Sequence, residues 1–281
     1  MSEITPIKPI SFACPKCKRP LRSGDNALYC SECNRTYPIA GGIPDFLSQA
    51  SLAPAASRIA KAMDFVAPIY ESQLFASVLL KLSGVGGSSR FVDSIASFHA
   101  ETLKGITGSV LDVACGPATY SRRIASPTRS VYGIDISMGM LRQGAAYVAR
   151  DGIPGVHLAR ASVDELPFEN AVFDGGVCSG SLHLFPDTVL SLREIARTMK
   201  PGAPLSVQTF VAGNTVINRL VQKRSWLHTF ELAELQQYLT EAGFEGFRPE
   251  LDGIVLTFSA RKAMPRASVS KYLAVEERGA V

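Results

Sequence analysis

Four cysteines crowd the first 33 residues as two CxxC pairs, Cys14-Pro-Lys-Cys17 and Cys30-Ser-Glu-Cys33. Each pair sets two thiolates at the tip of a tight turn, within reach of one ion. Two such turns offer four soft ligands, the set that suits tetrahedral zinc with Zn–S bonds of about 2.3 Å. Cysteine fills all four positions and leaves none open, which points to a structural ion rather than a catalytic one. A redox dithiol would normally come singly, opening a helix after a strand. The other two cysteines, Cys115 and Cys178, lie in apolar, strand-like runs and read as small packed residues.

A second constellation begins at VLDVACGPATYSRRI, residues 110–124. A strand ending near Asp112 runs into a tight turn at Gly116 and then into a helix. Small residues at Ala114, Gly116 and Ala118 let a ligand approach the backbone, where a branched side chain would block it. Some twenty residues on, VYGIDIS places Asp135 at the carboxyl end of the next strand. A carboxylate there can accept both hydroxyls of a ribose. A third piece, SVDELPF (162–168), follows the third strand and is itself followed by Phe173-Asp174.

The surrounding pattern supplies the elements that would hold these groups. Short apolar runs at 109–114, 130–136, 156–161, 172–180 and 203–210 alternate with helical stretches at 120–125, 138–150 and 188–199. Strands without polar alternation, separated by helices, predict a parallel sheet covered on both faces. Another helix is expected over 231–241, with Thr229 as its N-cap, and a β-hairpin over 247–262. Upstream, SQASLAPAASR (48–58) reads as a linker. Helical spacing then runs from Ile59 to Leu82 with a break at Pro68, and again from Phe91 to Leu103. The expected division is a ribbon over 1–47, a linker and helical lid over 48–108, a sheet domain over 109–262 and a mobile tail over 263–281. Fewer than about 50 residues cannot bury much, so the metal should supply much of the ribbon's stability.

Taken together, VLDVACG, YGID, ELPFENAVFD and LREIARTMKPGAPL resemble the class I S-adenosylmethionine-dependent methyltransferases, in the branch of the ubiquinone- and menaquinone-biosynthesis enzymes. The resemblance covers about residues 60–260. It implies an α/β, Rossmann-like, doubly wound seven-stranded sheet and a lid helix at MDFVAPIYES (63–72). Carried over by position, Asp112 faces the methionine end of the cofactor while Ala114 and Gly116 line its turn. Asp135 and Ile136 hold the ribose side, Met138 packs on the adenine, and Ser162 and Val163 read its edge. Cys178 and Ser179 form the floor beneath the sulfonium. Two departures stand out. Ala114 and Ala118 replace glycines common in the family, and Ser162 stands where an acidic residue is usual. Asp164, nearby, should turn elsewhere.

For the chemistry, His183 in SGSLHLF lies just past the fourth strand, where the family places groups facing the substrate. Tyr70 in the lid is positioned to orient it. These are the two catalytic candidates; His99 and His228 read as surface residues. An oxidoreductase of similar fold would carry GxGxxG, which is absent. The acceptor implied is a small molecule such as a phenol, a quinone or a secondary metabolite, methylated on oxygen or carbon. Two alternatives remain open. One is an rRNA guanine methyltransferase, since a zinc ribbon ahead of this fold also resembles that group. The other is a non-catalytic scaffold whose ribbon recruits a partner. Against RNA, the ribbon's Lys16, Lys18, Arg19, Arg22 and Arg35 are balanced by Glu3, Asp25, Glu32 and Asp45, and the net charge of the whole chain is only +4. No membrane span and no signal peptide are read, so the cytosol is the expected compartment. The sequence sets no oligomeric state.

Overall fold

The computed structural model describes residues 9–47, 52–72, 91–211 and 229–265. Two sheets organise it. A small antiparallel sheet joins β1 (Arg22–Ser23), β2 (Ala27–Cys30), β3 (Arg35–Ala40) and β4 (Ile43–Pro44) in sequential order. The large sheet joins β5 (Gly108–Val113), β6 (Arg129–Asp135), β7 (Val156–Arg160), β8 (Gly175–Ser179), β9 (Pro204–Phe210), β10 (Phe244–Asp252) and β11 (Val255–Lys262). Its order is β10-β11-β9-β8-β5-β6-β7. The five strands from β5 to β9 are mutually parallel, and β11 runs antiparallel to both neighbours. This is the expected doubly wound sheet. Chain order reverses between β5 and β8, and the carboxyl ends of these strands open at that switch point, where such folds bind ligands.

Helices α1 (Pro54–Val66), α2 (Phe91–Thr102), α3 (Ser121–Ile124), α4 (Met138–Asp151), α5 (Thr188–Thr198) and α6 (Leu232–Glu241) cover the sheet. Local signals account for several ends. Ser137 caps α4 by accepting from Met140 N at 3.0 Å, and Gly152 closes it in the left-handed region. Asp187 caps α5 through Leu190 N at 2.8 Å. Three boundaries differ from the sequence reading. The linker ends sooner, because α1 begins at Pro54, a residue whose fixed φ suits the first helical turn. The helix expected over 120–125 is a single turn. The N-cap of α6 is Glu231, which makes no side-chain cap bond, rather than Thr229. The readings at 73–82 and at His228, and the tail from 266 on, lie outside the described residues.

The ribbon is not a separate body with a core of its own. Cys14, Leu28, Cys30, Tyr37 and Phe46 share one hydrophobic cluster with sheet residues such as Leu111, Tyr132, Ile134 and Phe168. Phe12 joins the two halves, its ring 5.5 Å from both Phe46 and Phe168. The backbone is stitched as well: Ala13 N donates to Pro167 O at 2.8 Å and Phe46 N to Arg160 O at 2.9 Å. Asp45 bridges Arg160 in parallel, so the ribbon covers the outer edge of β7, an edge otherwise open to pairing with another chain. No helix among the described residues is long and apolar enough to cross a membrane.

Candidate functional site

The loop after β5 makes the first wall of the site. Ala114, Gly116 and Ala118 all adopt positive φ (54°, 53° and 60°), the left-handed region that the family's glycines would enter without strain. A Cβ placed on Gly116 would meet nothing within 4 Å. The backbone there is therefore open on the side where a ligand would lie. Alanine in this region costs about 1–2 kcal/mol, and the two sites differ in what the methyl does. Ala118 is fully buried and its methyl faces Gly144 of α4, whereas Ala114 is only half-buried. Ala114→Gly should therefore stabilise by up to ~1 kcal/mol after the entropy of the added glycine, raising the melting temperature by about 2 °C. Ala118→Gly forfeits a buried methyl worth ~0.8 kcal/mol and should be near neutral. Differential scanning calorimetry distinguishes them; a fall in melting temperature for Ala114→Gly would contradict the strain.

Asp135 ends β6 with 8% of its surface exposed. One carboxylate oxygen accepts from Gly116 N at 2.9 Å and the other from Ser137 N at 2.8 Å. Each oxygen keeps a lone pair beyond its backbone partner. Burial pushes its pKa up to about 6 despite those two bonds, and the charge of Asp64 adds to the rise. Asp112, fully inside β5, accepts from Ser121 Oγ at 2.5 Å. Burial, with the charge of Asp135, raises it to about 7. The Asp174 of the FD motif works elsewhere. It accepts from Ser109 N at 2.9 Å and Lys200 Nζ at 2.6 Å, closing the start of β5.

The lid segment is fixed over this wall. Asp64, near the end of α1, accepts from Gly139 N at 2.7 Å and Ser137 Oγ at 2.6 Å, which places a carboxylate at the N-terminus of α4. A Cβ on Gly139 would come within 2.9 Å of the Asp64 Cα, so only glycine admits the lid there. Glu71 takes Thr119 Oγ1 and Arg122, each at 2.5 Å. Between them, Tyr70 lies close enough to Asp135 for that charge, after burial itself, to raise its hydroxyl pKa.

The remaining sequence candidates fall as follows. Met138 opens α4 half-buried and packs with Ile43, Cys115 and Leu158. Ile136 offers its carbonyl to Arg160 Nε at 3.0 Å. The Ser162 hydroxyl is engaged locally, accepting from Asp164 N at 3.3 Å, while Val163 beside it is buried. One Asp164 oxygen accepts from Ser191 Oγ at 2.8 Å and the other from Ser162 Oγ at 3.4 Å. Cys178 is buried at the end of β8 with Ser179 half-buried after it. His183 sits in a short 3-10 turn past β8, its Nδ1 3.2 Å from Thr209 Oγ1 and its ring against Phe210. Burial lowers its pKa to about 4, so it is neutral at physiological pH.

His99 corrects the sequence reading: it is fully buried, not on the surface. Its Nδ1 lies 2.8 Å from Ser206 Oγ of β9 and its Nε2 3.2 Å from Ser179 Oγ of β8. Its ring meets that of Tyr120 edge-on, with centroids 5.1 Å apart. The sequence alone does not mark His99 as buried or bring Tyr120 to it, because the serines that bracket the histidine lie 80 and 107 positions away.

In the ribbon, Cys14, Cys17, Cys30 and Cys33 bring their sulfurs within 4.8 Å of one another, with Cys17 and Cys30 3.5 Å apart. Bonds of about 2.3 Å in a tetrahedron require S···S edges of about 3.8 Å, so the cluster fits a zinc ion. Cys115 and Cys178 are apart from it.

Comparison with known proteins bears on the family and the fold. Residues 110–202 match the family described as methyltransferase domain, and residues 12–42 the family described as Trm112p-like protein. An uncharacterized chloroplastic methyltransferase of Arabidopsis thaliana is 26% identical over 89% of this chain and 78% of its own length. The demethylmenaquinone methyltransferase of Listeria monocytogenes is 37% identical over 35% of this chain, a match that spans only 43% of that protein. Among solved structures, a phosphoethanolamine N-methyltransferase of Haemonchus contortus in complex with S-adenosyl-L-methionine superposes with a TM-score of 0.59 at 15% identity, covering 76% of this chain and 61% of that one. The cyclase SpnF gives 0.58 at 18%, covering 76% and 98%. Likeness at this identity speaks for the fold alone.

Proposed function

We propose, from the premise that this chain is a class I S-adenosylmethionine-dependent methyltransferase with an N-terminal Trm112p-like ribbon, that it methylates a small ring compound of the phenol or quinone class on oxygen or carbon. The observation that carries the cofactor half is the pairing of Asp135, aimed by Gly116 N and Ser137 N, with the open backbone at Gly116. These residues fit a ribose and the chain beyond it. When bound, the cofactor supplies an electrophilic methyl on a cationic sulfur. The protein's own part is to align an acceptor and exclude water, with Tyr70 above and Ser179 and His183 at the ends of β8 and the turn after it.

For the acceptor, the ribbon's placement favours a small molecule over RNA. Lys16 and Lys18 are committed to ion pairs with Glu165 and Glu194, at 2.5 and 2.7 Å. The ribbon covers the β7 edge, at the far side of the sheet from β9 and from Thr209, the partner of His183. Its four thiolates hold zinc as a structural ion and take no part in transfer. The acceptor is tested with tritium-labelled S-adenosylmethionine, offered with reduced demethylmenaquinone and other phenols or with undermethylated rRNA. Label in the organic extract supports the reading; label in the RNA overturns it.

Two consequences follow. An ionised Asp135 accepts ribose hydroxyls better than a protonated one, and its pKa in the free protein is about 6. Binding favours the ionised form, so affinity for S-adenosylhomocysteine should be full at pH 8 and fall as pH drops through 6. Calorimetry at pH 8 and 5 reads this, and a flat profile would exclude Asp135 from the contact. His183 is neutral and anchored through Nδ1 to Thr209. His183→Asn should slow turnover about tenfold or more while cofactor affinity holds. Equal turnover would return His183 to a packing role.

A further inference from the structure

Arg160, the last residue of β7, reaches in two directions at once. On one side is the ribbon. Asp45 is buried there, and Leu47 N fixes its carboxylate by donating to Oδ1 at 2.9 Å. Arg160 Nη1 lies 3.1 Å from Asp45 Oδ2 and 3.4 Å from Oδ1. On the other side is the turn that follows β6, where Arg160 Nε donates to Ile136 O at 3.0 Å. The backbone of the arginine is held as well. It pairs with Asp135 in the parallel register, and its carbonyl accepts from Phe46 N at 2.9 Å. The guanidinium therefore leaves from a fixed point and sits, only 24% exposed, between two acceptors.

What it holds is a single peptide unit. Strand β6 ends at Asp135, so the Ile136 carbonyl is the first beyond it. That carbonyl and the Ser137 N–H belong to one planar trans peptide and point in opposite directions, so a group that pins the oxygen also aims the hydrogen. Ser137 N–H donates to Asp135 Oδ1 at 2.8 Å. A cation on the oxygen also makes the N–H a stronger donor, because successive hydrogen bonds polarise one another. The chain thus runs from the Asp45 carboxylate through the Arg160 guanidinium and the 136–137 peptide to the Asp135 carboxylate. Its direction is fixed throughout: guanidinium and amide N–H groups only donate, and the carbonyl and carboxylate oxygens accept.

We propose that Arg160 is a positioning residue for the cofactor: anchored in the ribbon by Asp45, it sets the peptide that aims Asp135 at the ribose hydroxyls. The inference rests on the reading of Asp135 as the ribose ligand. It goes beyond that reading by giving the ribbon a part in cofactor binding as well as in covering the β7 edge. The residue type suits the task, since the planar fork of arginine serves two acceptors lying in different directions, whereas the compact ammonium of lysine serves one.

The test uses the full chain as Arg160→Met, Arg160→Lys and Asp45→Asn, each alone and on the Asp135→Ala background, read by titration with S-adenosylhomocysteine. Arg160→Met should weaken binding about tenfold, since it removes a charged donor. Asp45→Asn and Arg160→Lys should lose less, in the same direction. Zinc content should stay at the wild-type level in Asp45→Asn, which shows that its loss does not come from an unfolded ribbon. On the Asp135→Ala background none of the three should weaken binding further, because a group that acts through Asp135 has nothing left to act on. A residue that merely stabilises the fold would add its full effect there. Where Arg160→Met does not fold, Asp45→Asn and Arg160→Lys carry the same comparison. Affinities in the Arg160 and Asp45 variants equal to wild type, with Asp135→Ala weakened, overturn this proposal alone. So does full additivity with Asp135→Ala. Unchanged affinity in Asp135→Ala itself overturns the ribose reading, and this proposal falls with it.

Discussion

Cys30→Ser should abolish zinc binding by the ribbon and lower the stability of the whole chain, not of the ribbon alone. One lost thiolate leaves three ligands at a site whose metal contributes directly to folding, at a cost of several kcal/mol. A ribbon with its own core would melt separately and leave the sheet untouched. Here Cys14, Cys30, Tyr37 and Phe46 share a cluster with Leu111, Tyr132 and Phe168, and Phe12 packs between the two halves. The ribbon also holds both ends of the segment after β7, through Phe46 N to Arg160 O and Ala13 N to Pro167 O. Loosening it should therefore expose the β7 edge and disorder 160–168, so that calorimetry shows one transition at a lower temperature. Two separable transitions, with the upper one unmoved, would show that the halves fold independently. Elemental analysis supplies the other half of the test, and a wild-type preparation without metal would remove the zinc reading.

Asp135→Ala should weaken cofactor binding by on the order of 1.5–3 kcal/mol, roughly 10- to 100-fold, through the loss of a charge-assisted contact to two hydroxyls. The upper end is expected, because the carboxylate also organises the loop. It accepts from Gly116 N and Ser137 N, and without it both donors lose their partner, Ser137 in a fully buried position. Asp135→Asn keeps an acceptor for one of them and should lose less. Titration with S-adenosylhomocysteine measures both variants, and unchanged affinity in Asp135→Ala would remove the residue from the cofactor site.

The sheet and the first wall of the site were legible in the sequence for a physical reason. Parallel strands such as SVLDV and SVYGID are short, apolar and regularly spaced, and Ala114, Gly116 and Asp135 sit where a strand must turn. Contacts between distant segments were not legible. Nothing around His99 marks it as buried; its helix carries Asp93 and Glu101, and its partners come from β8 and β9. Nor do CPKC and CSEC announce that Asp45 will bridge Arg160, 115 residues on, and join the ribbon to the sheet. The Ala114 and Ala118 departures were visible as residue types, but only the backbone shows that both adopt the left-handed conformation that glycine enters without strain.

The central claim, a methyltransferase cofactor held at the ends of β5 and β6, is tested most directly by equilibrium dialysis of tritium-labelled S-adenosylmethionine against the wild-type chain. The account predicts one molecule retained per chain, displaced by S-adenosylhomocysteine and unaffected by NAD. Failure to retain the label, or its displacement by NAD, would contradict it.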